Sequence, residues 1–218
     1  DLIAQEGAPW TCGSVLRRDV VAREDAQVTA RLRGAGAVFV GRTHLHEWAY
    51  GVSNDNPHFG PARNPWDPGR TPGGSSGGSG VALATGCIYG SLGTDTGGSI
   101  RIPAALCGIV GLKPTYGLLP THGVQALSWS LDHVGPMART VDDVALLLEV
   151  LTGTSWGRSA RIRGVRVGVL RTFFEDALDA GMARAVEVAL EALRRLGAEV
   201  EEVRVDGLEV ASAVATTL

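Results

Sequence analysis

Two glycine knots that carry serines are the stretches of this chain most able to do chemistry. They are Gly73-Gly74-Ser75-Ser76-Gly77-Gly78-Ser79 and Thr96-Gly97-Gly98-Ser99, with Ser99 lying 24 residues after Ser75. No charged residue occurs from Thr71 to Thr94, and Asp95 ends that silence. Glycine this dense either leaves a chain floppy or lets backbone approach something closely. The enclosed apolar run Val81-Ala82-Leu83-Ala84 argues for close approach. Backbone N–H groups exposed at such knots suit an anion, either a phosphate or an oxyanion formed during reaction. A helix followed by a strand between the serines turns the chain back on itself. One serine can then relay a proton for the other, and the successive amides beside Ser99 match the needs of an oxyanion hole.

Other motifs compete for the same residues. A phosphate-binding Walker loop needs a Gly-Lys pair, and there is none. A dinucleotide fingerprint begun at Gly78-x-Gly80 puts Leu83 where Gly or Ala belongs, with no strand before it. Gly74-Ser75-Ser76-Gly77-Gly78 matches a nucleophile elbow formally, but the elbow follows a strand, and here Asn64-Pro65-Trp66-Asp67-Pro68-Gly69 precedes it. A Ser-His-Asp triad of Ser76, an Asp and His122 or His133 stays open. Lys113 is the only lysine, and arginine is a poor general base, so a lysine base is either Lys113 or lies outside this chain. Pro114 places Lys113 in a turn. Ser76 and Ser79 read equally as turn and helix-cap residues. His44 and His46, with or without His58, suggest a metal only weakly, because residues two apart on a helix face different ways. The five tryptophans read as packing residues, with Trp129 or Tyr116 as candidate pocket walls.

The chain that must position these groups has 218 residues, 44% of them hydrophobic, enough for one large domain with a full core. A net charge of -3 gives no reason to expect nucleic acid or an anionic membrane as partner. Cys12, Cys87 and Cys107 form no C-x-x-C pair and read as buried reduced thiols without metal, in a cytoplasmic protein. Residues 1–20 read as loop, without the basic and apolar regions of a signal peptide. The pattern predicts a helix over 25–33 capped by Asp25, a buried strand over 37–40 and a short helix over 43–49. A long loop over 54–72 follows. Next come a helix over 77–87, a strand over 91–94, a helix over 101–107 with Pro103 in its first turn, and a strand over 109–112. Thr140 opens an amphipathic helix with Asp142 and Asp143 in its first turn. After a polar break at 153–164 the expected order is strand 165–170, helix 182–196, strand 198–205. Alternating helices and apolar strands argue an α/β class.

From residue 1 to about 153 the chain resembles the amidase signature family of serine hydrolases. The stretches that carry the likeness are Gly41-Arg42-Thr43-His44-Leu45-His46-Glu47-Trp48-Ala49, Asn64-Pro65-Trp66, residues 73–79 and 93–101, and Gly111-Leu112-Lys113-Pro114-Thr115-Tyr116-Gly117. Residues 164–218 resemble the strand–helix–strand that follows this core in the same domain. The resemblance implies a mixed, twisted sheet flanked by helices on both faces. It implies a Ser–cis-Ser–Lys triad with Ser99 as nucleophile and Ser75 as the bridging serine beside a cis peptide. Thr96, Gly97, Gly98 and Ser99 would supply the oxyanion-hole amides, Ser76 would support the hydrogen-bond network, and Asp95 and Arg101 would fix the loop. The implied reaction hydrolyses a carboxylic amide to acid and amine without metal or organic cofactor. Its substrate would be a small-molecule amide, and a homo-oligomer is compatible with it. In the family the base lysine precedes a segment like Asp1-Leu2-Ile3, so the base is expected outside this chain, as is a C-terminal portion that completes the pocket. The 218 residues alone are therefore expected to be almost inactive. A transamidase subunit that passes ammonia to a tRNA-linked acyl group with partner subunits is the alternative enzyme. An inactive scaffold or binding remnant is the alternative outside catalysis.

Overall fold

The computed structural model describes residues 1–155, 162–171, 178–211 and 213–214. Two compact units divide the chain, Asp1–Trp156 and Gly157–Leu218. The first unit begins with irregular backbone and then α1, Gln27–Gly34. Asp25 does not cap this helix. Ala26 holds the cap position without a side-chain bond, and the Asp25 carboxylate instead accepts from Glu6 N at 2.8 Å and pairs with Arg33 at 2.6 Å. The 37–40 segment is not a strand, and Val38 and Val40 are 85% and 75% exposed. Its β-branched composition satisfies the propensity for a strand, but no neighbour pairs with it among the described residues. The helix expected over 43–49 shrinks to one 3-10 turn, Glu47–Ala49. Inside the expected loop, β1 (Asp55–Asn56) and β2 (Gly60–Pro61) make a two-rung hairpin. Its corner is stabilised by Asn56 Oδ1, which accepts from the amides of His58 and Phe59.

Next come α2 (Gly77–Ala84), β3 (Gly90–Asp95), α3 (Arg101–Cys107) and β4 (Val110–Gly111). α3 stops where its chemistry says it should: Gly108 adopts φ +69° and returns its N–H to Ala104 O. The strand that organises the sheet is β5, His133–Ala138, which the sequence pattern does not suggest. It pairs antiparallel with β3 on one side and β4 on the other. Gly135 and Pro136 argue against a central strand, since proline cannot donate to the ladder. Here Pro136 contributes only its carbonyl, which accepts from Leu112 N at 3.1 Å. α4, Val141–Thr152, follows the sequence reading, with Thr140 Oγ1 accepting from Asp143 N at 3.1 Å.

The core of this unit lies on two sides of β5. Leu83, Ile100 and Met137 are 0% exposed and join α2 and the approach to α3 to the sheet. Burying side chains of this size is worth about 1.5–3 kcal/mol each. On the other side Val28, Leu32, Val134 and Leu151 join α1 and α4 to β5. Arg31 ties the same helices by donating to Leu151 O.

The second unit is a parallel βαβ element. It holds β6 (Arg166–Val169), α5 (Ala180–Arg195) and β7 (Glu199–Glu202), with β6 paired to β7. Asp179 caps α5 by accepting from Gly181 N and Met182 N. Among the described residues the two units hold the β1–β2 hairpin, an antiparallel three-stranded sheet, a parallel pair and five α-helices, a mixed α/β class as expected.

Candidate active site

The helix–strand return does bring the two serine knots together. Ser76 N donates to Ser99 O at 3.2 Å, although 23 residues separate them. α2 starts at the first knot, and its glycines let it approach the preceding backbone. A Cβ on Gly78 would collide with His44 O and lie 2.5 Å from His44 N, closer than real Cβ atoms come. Gly78 N donates to that same carbonyl at 3.0 Å. The Gly74–Ser75 peptide is cis.

Ser75 is fully buried, and its Oγ makes no hydrogen bond to any described residue. Its carbonyl accepts from His46 N at 3.2 Å. A cavity of about 30 Å³ adjoins it, walled by Asp1, Leu2, Thr43, His44, Ser76 and Ser79. Asp1 is held at this cavity by its carboxylate, which accepts from Thr11 N at 3.1 Å, from Thr11 Oγ1, and from Arg42 Nη2 at 3.2 Å. Arg42 also donates to Ile3 O at 2.6 Å, so this arginine fixes the backbone entering the site.

Ser76 holds the cap position of α2 without a side-chain cap bond, and it is not part of a His triad. Its hydroxyl accepts from Thr94 N at 3.2 Å and donates to Thr94 O at 3.3 Å, which staples the first knot to β3. Ser79 Oγ similarly donates to Leu92 O at 3.2 Å. His122 lies 3.9 Å from Glu24, and His133 is engaged elsewhere, so neither reaches Ser76.

The second knot is built around Asp95. Its carboxylate is 0% exposed and accepts from Gly98 N at 2.8 Å, from Ile100 N at 3.2 Å and from Arg101 Nε and Nη2 at 3.0 and 2.9 Å. Burial alone would raise the Asp95 pKa, but the Arg101 guanidinium and the backbone donors outweigh it and hold the carboxyl below the usual carboxylate range. Asp95 stays ionised and shapes the turn that presents Ser99. Gly98 follows with φ +127°, a conformation that side chains rarely adopt. With Gly98 N–H turned to Asp95, the amides of Thr96, Gly97 and Ser99 are those left without an intramolecular acceptor among the described residues. Ser99 is 8% exposed, and its Oγ likewise has no partner among them.

Beneath the turn sits a link that sequence reasoning did not assemble. His133 Nδ1 faces Leu131 O at 2.6 Å and Asp95 O at 3.2 Å, so this nitrogen carries the proton. Nε2 is then the acceptor for Lys113 Nζ at 3.1 Å, and Lys113 also donates to Pro114 O at 3.1 Å. Lys113 therefore supports the turn from below. Tyr116 stacks edge-on against the His133 ring and donates its hydroxyl to Trp129 O at 2.7 Å.

Other expectations fare variously. His44 Nδ1 faces Asn54 Nδ2 at 3.1 Å, and His58 Nε2 faces Glu47 Oε1 at 3.0 Å. Burial lowers the His44 pKa. No group of three or more potential metal ligands occurs among the described residues. Cys12 and Cys107 are buried thiols, with Cys107 pushed by burial up to about 11, whereas Cys87 is exposed. Trp10 and Trp48 pack as expected. Trp66 is 71% exposed yet anchors Cys107 O at 2.8 Å. Trp129 is 88% exposed and lines a cleft of about 410 Å³ that reaches Thr96, while Trp156 lies outside the described residues. No described helix is long and apolar enough to cross a membrane.

Known proteins resemble this chain along almost its whole length. The A subunit of glutamyl-tRNA(Gln) amidotransferase from Anaeromyxobacter dehalogenans is 48% identical over 93% of this chain and 44% of its own length. The crystal structure of the same type of A subunit from Thermotoga maritima superposes with TM-score 0.92 at 38% identity, over 98% of this chain and 50% of that one. The native peptide amidase of Stenotrophomonas maltophilia superposes with TM-score 0.88 at 36% identity, over 99% of this chain and 49% of that one. The chain thus spans about half the length of the relatives it matches. The family model described as Amidase matches residues 1–217, and with this fold and these knots the chain belongs to the amidase family.

Proposed function

We propose that the protein cleaves a carboxylic amide through a seryl acyl-enzyme on Ser99. The observation that carries this reading is the pairing of knots: Ser76 N bonded to Ser99 O, with a buried, unpartnered Ser75 hydroxyl behind them. Buried hydroxyls are nearly always hydrogen-bonded, so Ser75 Oγ calls for a partner. We assign that partner to the base lysine that the family resemblance places immediately before Asp1, at the wall of the small cavity. Lys113 is held by His133 and Pro114 and supports the turn instead.

The neutral lysine takes a proton from Ser75, and Ser75 takes one from Ser99 as Ser99 Oγ attacks the amide carbon. The carbonyl oxygen gains the negative charge, and the amides of Thr96, Gly97 and Ser99 receive it. On collapse of the tetrahedral intermediate the C–N bond breaks. The proton returns through Ser75 to the leaving amine. Water then attacks the ester, its proton follows the same relay, and Ser99 is regenerated with release of the acid. No metal or organic cofactor enters this scheme.

The fate of the released ammonia separates two readings. The amidotransferase A subunits that match 93% of this chain favour a glutaminase component working with partner subunits on a misacylated tRNA. Peptide amidase resembles the chain less closely in sequence, and supports a free-standing amidase. The intact protein decides between them by ammonia release from glutamine with and without partner subunits. Release that needs the partners supports the amidotransferase reading. Turnover of simple amides by the protein alone supports the free amidase. Absence of turnover in both arms, with a correctly folded protein, supports a binding remnant and overturns the catalytic reading.

A further inference from the structure

The β3–β5 ladder ends at the pair Asp95–His133, so Thr96 and Asp132 face each other one residue beyond it. Thr96 Oγ1 donates to Asp132 Oδ1 at 2.5 Å. The same carboxylate accepts from Leu127 N at 2.8 Å through Oδ2, and from Ser128 N at 3.1 and 3.0 Å through its two oxygens. Asp132 therefore holds two things at once. One is the turn whose amides receive the oxyanion. The other is the 127–131 loop, whose Leu127 and Trp129 line the 410 Å³ cleft that opens beside Thr96.

We propose that Asp132 is a positioning residue that couples the wall of the substrate cleft to the oxyanion turn through the Thr96 hydroxyl. This inference rests on the reading of Ser99 as nucleophile and Thr96 N–H as an oxyanion donor. Its physical basis is rigidity. A carboxylate that accepts bonds from both sides makes the turn and the loop one body, so a substrate held by the loop meets donors at a set distance. Charge-assisted hydrogen bonds of this kind are roughly twice as strong as neutral ones. Misplacing a reacting group by about 1 Å can cost about 10²-fold in rate.

The test uses the intact protein and separates kcat from KM. Thr96→Val removes the hydroxyl but leaves Asp132 bonded to Leu127 and Ser128, so kcat falls about tenfold or more with KM nearly unchanged. Thr96→Ser keeps the hydroxyl and recovers most of that loss. Asp132→Ala frees both turn and loop, so kcat falls and KM rises. In the double variant Thr96→Val adds almost nothing to Asp132→Ala, because the hydroxyl acts through the carboxylate. Multiplicative losses in the double variant, or an unchanged kcat in Thr96→Val, overturn the coupling. If Asp132→Ala does not fold, the Val and Ser variants at position 96 still decide. Each variant is also labelled with a fluorophosphonate. A wild-type adduct away from Ser99 overturns the catalytic reading and this inference together. A Ser99 adduct formed equally fast in wild type and Thr96→Val overturns the inference alone.

Discussion

The two serine knots differ in how their polar groups are satisfied. Around Ser99, one buried carboxylate meets three backbone amides and the Arg101 guanidinium, and its own strand carbonyl rests against His133. Around Ser75, by contrast, Ser75 Oγ, Asn54 Oδ1, His44 Nε2 and His46 Nδ1 are buried without a hydrogen-bond partner among the described residues. The Ser99 knot is thus shaped by groups close in sequence or on the adjacent strand. The Ser75 knot is shaped sterically, by glycines pressed on the 44–54 backbone. A site can be geometrically set in one half by charge and in the other half by close packing.

The largest expected effect lies at the charged knot. Ser99→Ala abolishes acylation in the intact protein, because no other group can form the ester, and turnover drops to the uncatalysed background in a product assay. Ser75→Ala keeps the nucleophile and loses the relay. Activity falls by about 10²–10⁴-fold, the usual worth of general acid–base assistance, and a slow residue of turnover remains measurable. Equal loss in both variants would show that the two knots are not divided into nucleophile and relay.

Stability probes sharpen the same contrast. Asp95→Ala leaves Gly98 N, Ile100 N and the half-exposed Arg101 without their acceptor, and leaving a buried donor unsatisfied costs about 1–3 kcal/mol, read as a lower denaturant midpoint. Gly78→Ala forces a methyl group onto the His44 backbone and destabilises by about 1–3 kcal/mol, an overpacking effect. The two differ in pH dependence. Asp95 has a folded pKa below its ordinary value, so its stabilisation is complete above about pH 4 and is lost as pH falls through the folded value. Asp95→Asn should therefore flatten the acid limb of the stability curve, whereas Gly78→Ala should lower the whole curve uniformly. An unchanged acid limb in Asp95→Asn would remove the carboxylate from the account of the turn.

The same contrast explains what could be read from residues alone. Asp95 bonds Gly98 and Arg101 within a few positions, a role that the family resemblance and not the residue pattern supplied, whereas the helix stop at Gly108 and the cap at Thr140 are matters of local chemistry. Ser76 was readable as a serine near a helix start but not as the staple to Thr94, whose backbone arrives from 18 residues away. β5 escaped because Gly135 and Pro136 lower strand propensity, and its pairing on both sides overrides them. Val38 and Val40 show the converse: strand-forming side chains with no strand beside them among the described residues. The Lys113–His133 link and the Asp132 bonds join residues from separate turns, and no periodicity encodes them.

The central claim is that Ser99, and not a neighbouring serine, forms the covalent bond. Its most direct test is peptide mapping by mass spectrometry after the intact protein is treated with a fluorophosphonate. The account predicts a single adduct on Ser99, absent in Ser99→Ala and formed more slowly in Ser75→Ala. An adduct on Ser75 or Ser76 that persists in Ser99→Ala would contradict it.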